Sequence, residues 1–370
     1  MNGIRHLYVH LPFCAHRCGY CDFVTAVGRS DEHGAYVAAL LAELGRERHL
    51  LTDPLETVFV GGGTPTFTEA EALALLLEGL PTAREVTVEA NPETVTADLA
   101  TFLHAHGVTR VSLGAQSFQP RLLSVLERRA GPGDVRRAVH HLRDAELDNI
   151  SLDLLYGIPG QGAADLDADL AEALALQPEH LSCYELEAKP GTRFTHAWGA
   201  ELEDQAEAME GYFEQVVSTL TGAGYRWYET ANFCRTVAGR DLRAHHNLGY
   251  WHGSDYLGLG VGAVSTVDGS RRRNRPSLGA YVQALSAGDE PPREIEALDG
   301  ATRRRERLML GLRLDEPLPV AVVGDALDRT ALSRLVAGDL AELVDGVALR
   351  LTPRGRFLGD AVTTELLSAA

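Results

Sequence analysis

Along the first half of this chain, short runs of β-branched and other apolar residues alternate with longer stretches whose apolar positions recur at helical spacing. The runs at 7–11, 57–60, 85–90, 110–113, 150–155 and 181–186 read as strands. Between them, 36–51, 69–77, 97–106, 135–145 and 166–176 read as helices. Apolar strands that each give way to a helix predict a parallel sheet covered by helices. Six such units are fewer than a closed eight-fold barrel needs. The expected fold is α/β, a partial, open (βα)6 barrel of TIM-like type.

After about residue 200 the rhythm changes. The stretch 203–220 reads as a helix and 225–229 as a candidate seventh strand. Residues 231–280 are rich in Gly, Arg, His and Asn, which predicts irregular structure near a site. Pro291 and Pro292 mark 289–293 as a linker. Beyond it, a helix over 301–312 opens a small α-rich domain whose patterned elements end near Leu351. The expected units are a core domain over 1–230, a connecting region over 231–293 and a small C-terminal domain over 294–370.

Composition narrows the function. The 370 residues are 45% hydrophobic, enough for a sizeable core. A formal net charge of -18 argues against a general nucleic-acid or anionic-membrane surface, so any anionic ligand needs a local basic site. No segment approaches the roughly 18 uncharged apolar residues of a membrane span. The apolar run at the start is too short for a signal peptide. Five cysteines, three of them clustered, do not make a disulfide framework. An exposed thiol loop predicts a reducing, cytoplasmic setting.

Those three, Cys14, Cys18 and Cys21, follow the first predicted strand in the spacing C-x3-C-x2-C. Cysteine thiolates hold iron–sulfur cubanes, usually four at a time. Three ligands leave one iron open, and an open position on a metal is where a substrate binds. A zinc loop completed by His10 or His16 would use the same thiols.

The strand ends carry further chemistry, as they do in α/β barrels. The second strand runs into Gly61-Gly62-Gly63-Thr64-Pro65, bare backbone that a ligand can approach closely. Later ends bring Glu89, Gln116 and Asp153, with Arg128 after the fourth strand. A carboxylate, an amide and a guanidinium can clasp a ribose, an amino group and a carboxylate. Taken singly, such residues also serve as caps and turn formers.

In order, His-Leu-Pro-Phe-Cys, Gly-Gly-Gly-Thr-Pro-Thr, Glu-Ala-Asn-Pro, Gln-Ser-Phe and Leu-Tyr-Gly-Ile-Pro-Gly-Gln resemble the radical S-adenosylmethionine family. Within it they resemble the porphyrin-related branch of oxygen-independent coproporphyrinogen III oxidase and the HemW-type haem chaperones. The resemblance spans nearly the whole chain. It implies a [4Fe–4S] cluster on Cys14, Cys18 and Cys21, with S-adenosylmethionine on the open iron. Tyr8, Tyr20, Gly62, Gly63, Thr64, Glu89, Gln116, Arg128 and Asp153 are then the cosubstrate contacts.

Three features separate members of the branch. The decarboxylating oxidase has a fourth cysteine where this chain has Phe23, and a longer arm before the cluster. His246-Asn247-Leu248-Gly249-Tyr250-Trp251 resembles the HNxxYW signature of the haem chaperones. That likeness implies haem contacts at His246, Tyr250 and Trp251, since imidazole ligates iron and aromatic faces suit a macrocycle. The run Arg271, Arg272, Arg273 and Arg275 is either a solvated turn or a basic rim for haem propionates. Cys183 is expected as a small buried residue, and Cys234 as a thiol in a polar loop. The expected function is a haem chaperone that passes haem to an acceptor protein, alone or as an oligomer. The alternative is a radical S-adenosylmethionine enzyme acting on a tetrapyrrole, like coproporphyrinogen III dehydrogenase.

Overall fold

The computed structural model describes residues 3–187, 189 and 192–368. Strands β1 (His6–Leu11), β2 (Leu55–Gly62), β3 (Ala83–Ala90), β4 (Arg110–Gln116), β5 (Ile150–Tyr156) and β6 (His180–Glu185) lie parallel in chain order. Helices α1 (His33–Glu47), α2 (Ala70–Gly79), α3 (Ala97–Ala105), α4 (Pro132–Asp144) and α5 (Ala163–Ala175) return the chain between them. Their starts follow local chemistry. Thr96 accepts the Leu99 N–H at 3.1 Å before α3, and Asp134 and Asp165 accept the N–H groups of Gly131 and Gly162 before α4 and α5.

Alternate strand positions split the core from the site. Leu7, Val9 and Leu11 of β1, Val58 and Val60 of β2, and Val111 and Leu113 of β4 pack with Tyr36, Leu40, Leu73 and Leu142 from the helices. Each such side chain contributes about 1.5–3 kcal/mol by leaving water. The intervening positions (His6, Tyr8, Thr57, Glu85, Glu89, Arg110, Asp153 and His180 among them) contact one another across the inside of the curved sheet. A polar interior inside an apolar shell is what the alternation encodes.

Beyond β6 come α6 (Arg193–Gln205), α7 (Met209–Gly222), β7 (Tyr225–Trp227) and β8 (Asn232–Arg235). The expected seventh strand is present over its first three residues, and it does not extend the parallel set. The short turn 228–231 can only join antiparallel neighbours, so β8 pairs antiparallel to β6 and β7 becomes the outer edge. Cys234 is therefore a buried strand residue, not part of a polar loop.

The region 231–293 is more regular than its composition predicts. It holds α8 (His245–Trp251), β9 (Leu257–Leu259), β10 (Val264–Val267), β11 (Ser270–Asn274) and α9 (Leu278–Ser286). Strand β9 joins the main sheet parallel to β1, giving the order β9-β1-β2-β3-β4-β5-β6-β8-β7. This region is thus built into the barrel rather than merely connecting it. The two prolines lead straight into β12 (Arg293–Ala297), which pairs with β11.

Three of the four arginines lie in strand β11 rather than in a turn, and all but Arg273 have a carboxylate partner among the described residues. Arg271 pairs with Glu306 at 2.7 Å and Glu296 at 3.2 Å, Arg272 with Glu47 at 3.7 Å, and Arg275 with Glu294 at 4.0 Å. Buried Glu43 of α1 fastens the same region, accepting from Gly260 N–H, Asn274, Tyr281 and Arg293.

The C-terminal part is helical, with α10 (Gly300–Gly311), α11 (Arg329–Ala337) and α12 (Gly359–Leu366). It also carries a small antiparallel sheet of β13 (Leu318–Pro319), β14 (Ala341–Val344) and β15 (Ala348–Leu351). Leu308, Val323, Leu332, Leu349 and Leu351 form its own core. Val362 and Leu366 complete that core, so the unit continues past Leu351.

Candidate functional site

At the C-terminal ends of β1 to β4 the cysteine loop meets two of the predicted contacts, Thr64 and Arg128. Phe13 anchors the loop, its ring buried against His33 and Tyr36. Thr64 donates its hydroxyl to Cys14 Sγ at 3.5 Å. Asn91 Nδ2 donates to Thr64 Oγ1 at 3.1 Å, and Arg128 Nη2 donates to Asn91 Oδ1 at 2.9 Å and to the Gly114 carbonyl at 2.8 Å. Arg128 Nη1 then points at Cys18 Sγ, 3.7 Å away. One chain of contacts links two of the three thiols across the ends of β2, β3 and β4. Asn91 is its middle member and was not singled out from the sequence. The signal was available in Glu-Ala-Asn-Pro, an amide placed just past a strand end.

These thiols fit an iron–sulfur cluster. Burial pushes the Cys14 thiol up to about 11 and raises that of Cys21, so both need a metal's charge to ionise. Arg128 supplies positive charge beside Cys18, and its buried Nε has no partner. Among the described residues, no three His, Cys, Asp or Glu side chains converge on a single ion. His10, the possible fourth zinc ligand, is already committed: Nε2 donates to the Val24 carbonyl at 2.8 Å and Nδ1 accepts from Tyr8 OH at 3.0 Å. His16 lies 3.7 Å from Glu127. The three soft donors suit a cubane, whose ligated irons occupy separate corners.

The remaining predicted residues fill the mouth beside the loop. Glu89 accepts the Gly62 N–H at 2.9 Å, and burial pushes its carboxyl up to about 7. Asp153 is held by Ser112 at 3.1 Å and Ser151 at 3.4 Å, and burial raises its carboxyl too. Gln116 sits at φ +65 where β4 slips register, a left-handed geometry that a non-glycine residue adopts only under local constraint. Tyr20 packs edge-on to Phe194 at 6.4 Å, with burial raising its phenol, and Tyr8 stacks on Phe59. The Gly63 N–H donates to the Leu11 carbonyl at 2.7 Å. Gly62 is needed for the protein itself: φ is +113, and a Cβ would lie 2.4 Å from the His10 ring. Bulk at Gly62 would therefore disturb the loop as well as any ligand.

The haem-signature residues lie elsewhere, at the N-terminal ends of the strands. Helix α8 sits over that opening, and its Gly249 lets it approach His6, whose ring a Cβ would meet at 2.9 Å. His246 is buried with both ring nitrogens engaged, Nδ1 with Thr57 Oγ1 at 2.7 Å and Nε2 with Tyr250 OH at 2.8 Å. Burial pushes its imidazolium down to about 3, so the ring is neutral. In this arrangement both ring nitrogens are engaged within the fold, so iron would have to displace one of these partners to reach His246. Tyr250 spends its hydroxyl on His246, while Trp251 is half-buried under the Arg313 guanidinium at 4.4 Å. Both border a cavity of about 770 Å³ between α8 and α10.

The comparisons with known proteins bear on the family and the fold. Residues 8–173 match the family model described as Radical SAM superfamily. The heme chaperone HemW of Mycobacterium tuberculosis is 36% identical over 98% of this chain and 94% of its own length. The chain belongs to the HemW family. Its Escherichia coli member is 35% identical, covering 92% of each chain, and its Bacillus subtilis member is 33% identical over 97% and 98%. Among solved structures, coproporphyrinogen III oxidase (HemN) from Escherichia coli, described as a radical SAM enzyme, superposes with a TM-score of 0.82 at 21% identity. It covers 98% of this chain and 90% of its own. That likeness establishes the fold. No helix among the described residues is long and apolar enough to cross a membrane.

Proposed function

We propose that this chain is a cytoplasmic haem chaperone: it binds haem, a [4Fe–4S] cluster and S-adenosylmethionine, and passes haem to an acceptor protein. The observation that carries the reading is the joined mouth of the barrel, where Cys14 and Cys18 are tied through Thr64, Asn91 and Arg128. It occurs in a chain whose full-length relatives are heme chaperones. When bound on Cys14, Cys18 and Cys21, the cluster supplies an open iron for the amino and carboxylate groups of S-adenosylmethionine.

The chain's own residues do the rest. Arg128, its plane fixed by Asn91 and the Gly114 carbonyl, holds positive charge beside Cys18 and would meet the cosubstrate carboxylate. Half-buried Glu89 and Asp153 have acceptor capacity left for an ammonium group and ribose hydroxyls. Tyr8, Tyr20, Gly62, Gly63, Thr64 and Gln116 complete the lining. The same retained set also supports a second reading, an enzyme that acts on a tetrapyrrole. Phe23 weighs against the decarboxylase, standing 62% exposed where that enzyme has a fourth cysteine.

The deciding experiment reconstitutes the cluster anaerobically and offers hemin and coproporphyrinogen III in parallel. The chaperone reading expects stoichiometric haem uptake, transfer to an apo-haemoprotein and no decarboxylated product. Decarboxylation with no transfer establishes the enzyme instead.

A further inference from the structure

The cavity between α8, β11 and α10 has no role in the site at the barrel mouth. Its volume of about 770 Å³ lies within the range of small-molecule and cofactor pockets, roughly 300–1,000 Å³. Its walls are mixed. Tyr250, Trp251 and Tyr256 line one side, and Met309, Leu310 and Val322 line another. Met309 and Val322 are about half exposed, apolar surface with nothing covering it.

Charge says what kind of body would fill it. Four arginines border this cavity in a chain of net charge -18. Two are already neutralised: Arg271 by Glu306 at 2.7 Å and Arg304 by Asp325 at 2.6 Å. Arg303 leans over Gly269 and, like Arg307, has no carboxylate partner among the described residues. Arg307 donates only to the Trp251 carbonyl, at 3.0 Å, and burial lowers its guanidinium. A partly desolvated, unpaired cation is costly, and an anion brought by a ligand offsets that cost. The buried Trp251 Nε1 has no acceptor either. The cavity therefore matches a ligand with a broad apolar body and carboxylate arms.

We propose that this cavity seats haem, its propionates on Arg303 and Arg307 and its ring edge against Trp251, Met309 and Val322. The assignment rests on the haem-chaperone reading and deepens it. It moves the haem site off the His246 ring, whose nitrogens are taken, to the part of α8 that faces α10. Among the lining side chains, Met309 offers a thioether, a donor that haem proteins use for iron. A seat walled by half-exposed side chains, with weak ligation, suits a carrier that must release its cargo.

The test uses the full chain with its cluster reconstituted, titrated with hemin and with hemin dimethyl ester. Arg303→Glu should weaken hemin binding about tenfold, as expected for turning a charge-assisted contact into repulsion. Val322→Trp, which fills the cavity from an exposed position, should weaken it further. Both variants should keep wild-type iron content and S-adenosylmethionine affinity. The ester should bind wild type more weakly than hemin, and Arg303→Glu no worse than wild type. Wild-type hemin affinity in either variant overturns the seat while leaving the chaperone reading intact, as does ester binding as tight as hemin. Failure of the wild-type chain to take up hemin overturns the chaperone reading, and the seat with it.

Discussion

The two ends of this barrel are both polar, and they are polar in opposite ways. At the C-terminal ends of the strands, Glu89, Asp153 and Arg128 are half-buried and keep hydrogen-bonding capacity, and burial raises the Cys14 thiol further above its ordinary range. At the N-terminal ends most of the polar groups satisfy one another, Arg110 Nε and Trp251 Nε1 excepted. His6 bonds Thr57 at 2.9 Å, Thr57 bonds His246, and His246 bonds Tyr250. His180 bonds Ser151 at 2.8 Å and Tyr228 at 2.8 Å, while Glu85 accepts the N–H groups of His245 and His246. A buried polar group that lacks a partner costs free energy until a ligand supplies one; a satisfied one holds structure. By that criterion the upper mouth keeps capacity for a ligand, while the barrel interior under α8 is spent largely on the fold.

The comparison can be broken at several points. The largest effect belongs to Cys14→Ala, Cys18→Ala and Cys21→Ala, each expected to abolish the cluster. Iron and sulfide analysis with electron-spin resonance after anaerobic reconstitution reads this, and one variant with the full wild-type signal removes that cysteine from the ligand set. At the other end, His246→Ala should cost about 2–4 kcal/mol of stability, because it orphans the Tyr250 hydroxyl, takes one of the two partners of Thr57 and leaves a cavity in the interior. Haem bound to the folded variant should keep its axial-ligand spectrum. A changed spectrum with unchanged stability would reverse the roles of the two ends.

Smaller effects sharpen the picture. Asn91→Ala should leave cluster content normal while weakening S-adenosylmethionine about tenfold, by releasing Arg128 from its fixed plane. Equilibrium binding on the reconstituted protein measures it, and unchanged affinity would show that Gly114 alone positions the guanidinium.

The smallest effect is a pH dependence at Glu89. Its carboxyl is raised from 4.5 to about 7 by burial, so the folded state holds its proton more tightly than the unfolded one. Stability from this group is therefore fully present below about pH 4.5, falls as pH rises, and is lost above about 7. Without ligand, Glu89→Gln should melt like wild type near pH 4.5 and a few degrees higher above pH 7. Equal melting temperatures at both pH values would mean that the carboxylate is solvated.

Some of this protein is written in local pattern. The six parallel strands are legible because every second position, the one that faces the helices, is apolar, and each intervening helix carries the 3.6 period. The cluster loop is legible because its three donors lie within eight consecutive residues of one loop, so no long-range packing is needed to bring them together. The candidate contacts at strand ends follow from the fold, since parallel strands deliver their last residues to one mouth.

What local pattern could not decide was which polar residues have partners. His246 looks like a ligand in the sequence, and only Thr57, 189 residues away, shows that its ring is occupied. The run at 271–275 looks like a free basic rim until Glu47, Glu296 and Glu306 arrive from α1, β12 and α10. Asn91 gains its place only when Thr64 and Arg128 come to its two sides. Hydrogen bonds and ion pairs between distant segments exist only after packing. The sequence by itself therefore determined the scaffold and the cluster loop. The tertiary structure alone decided which buried polar groups are spent on the fold and which remain for a ligand.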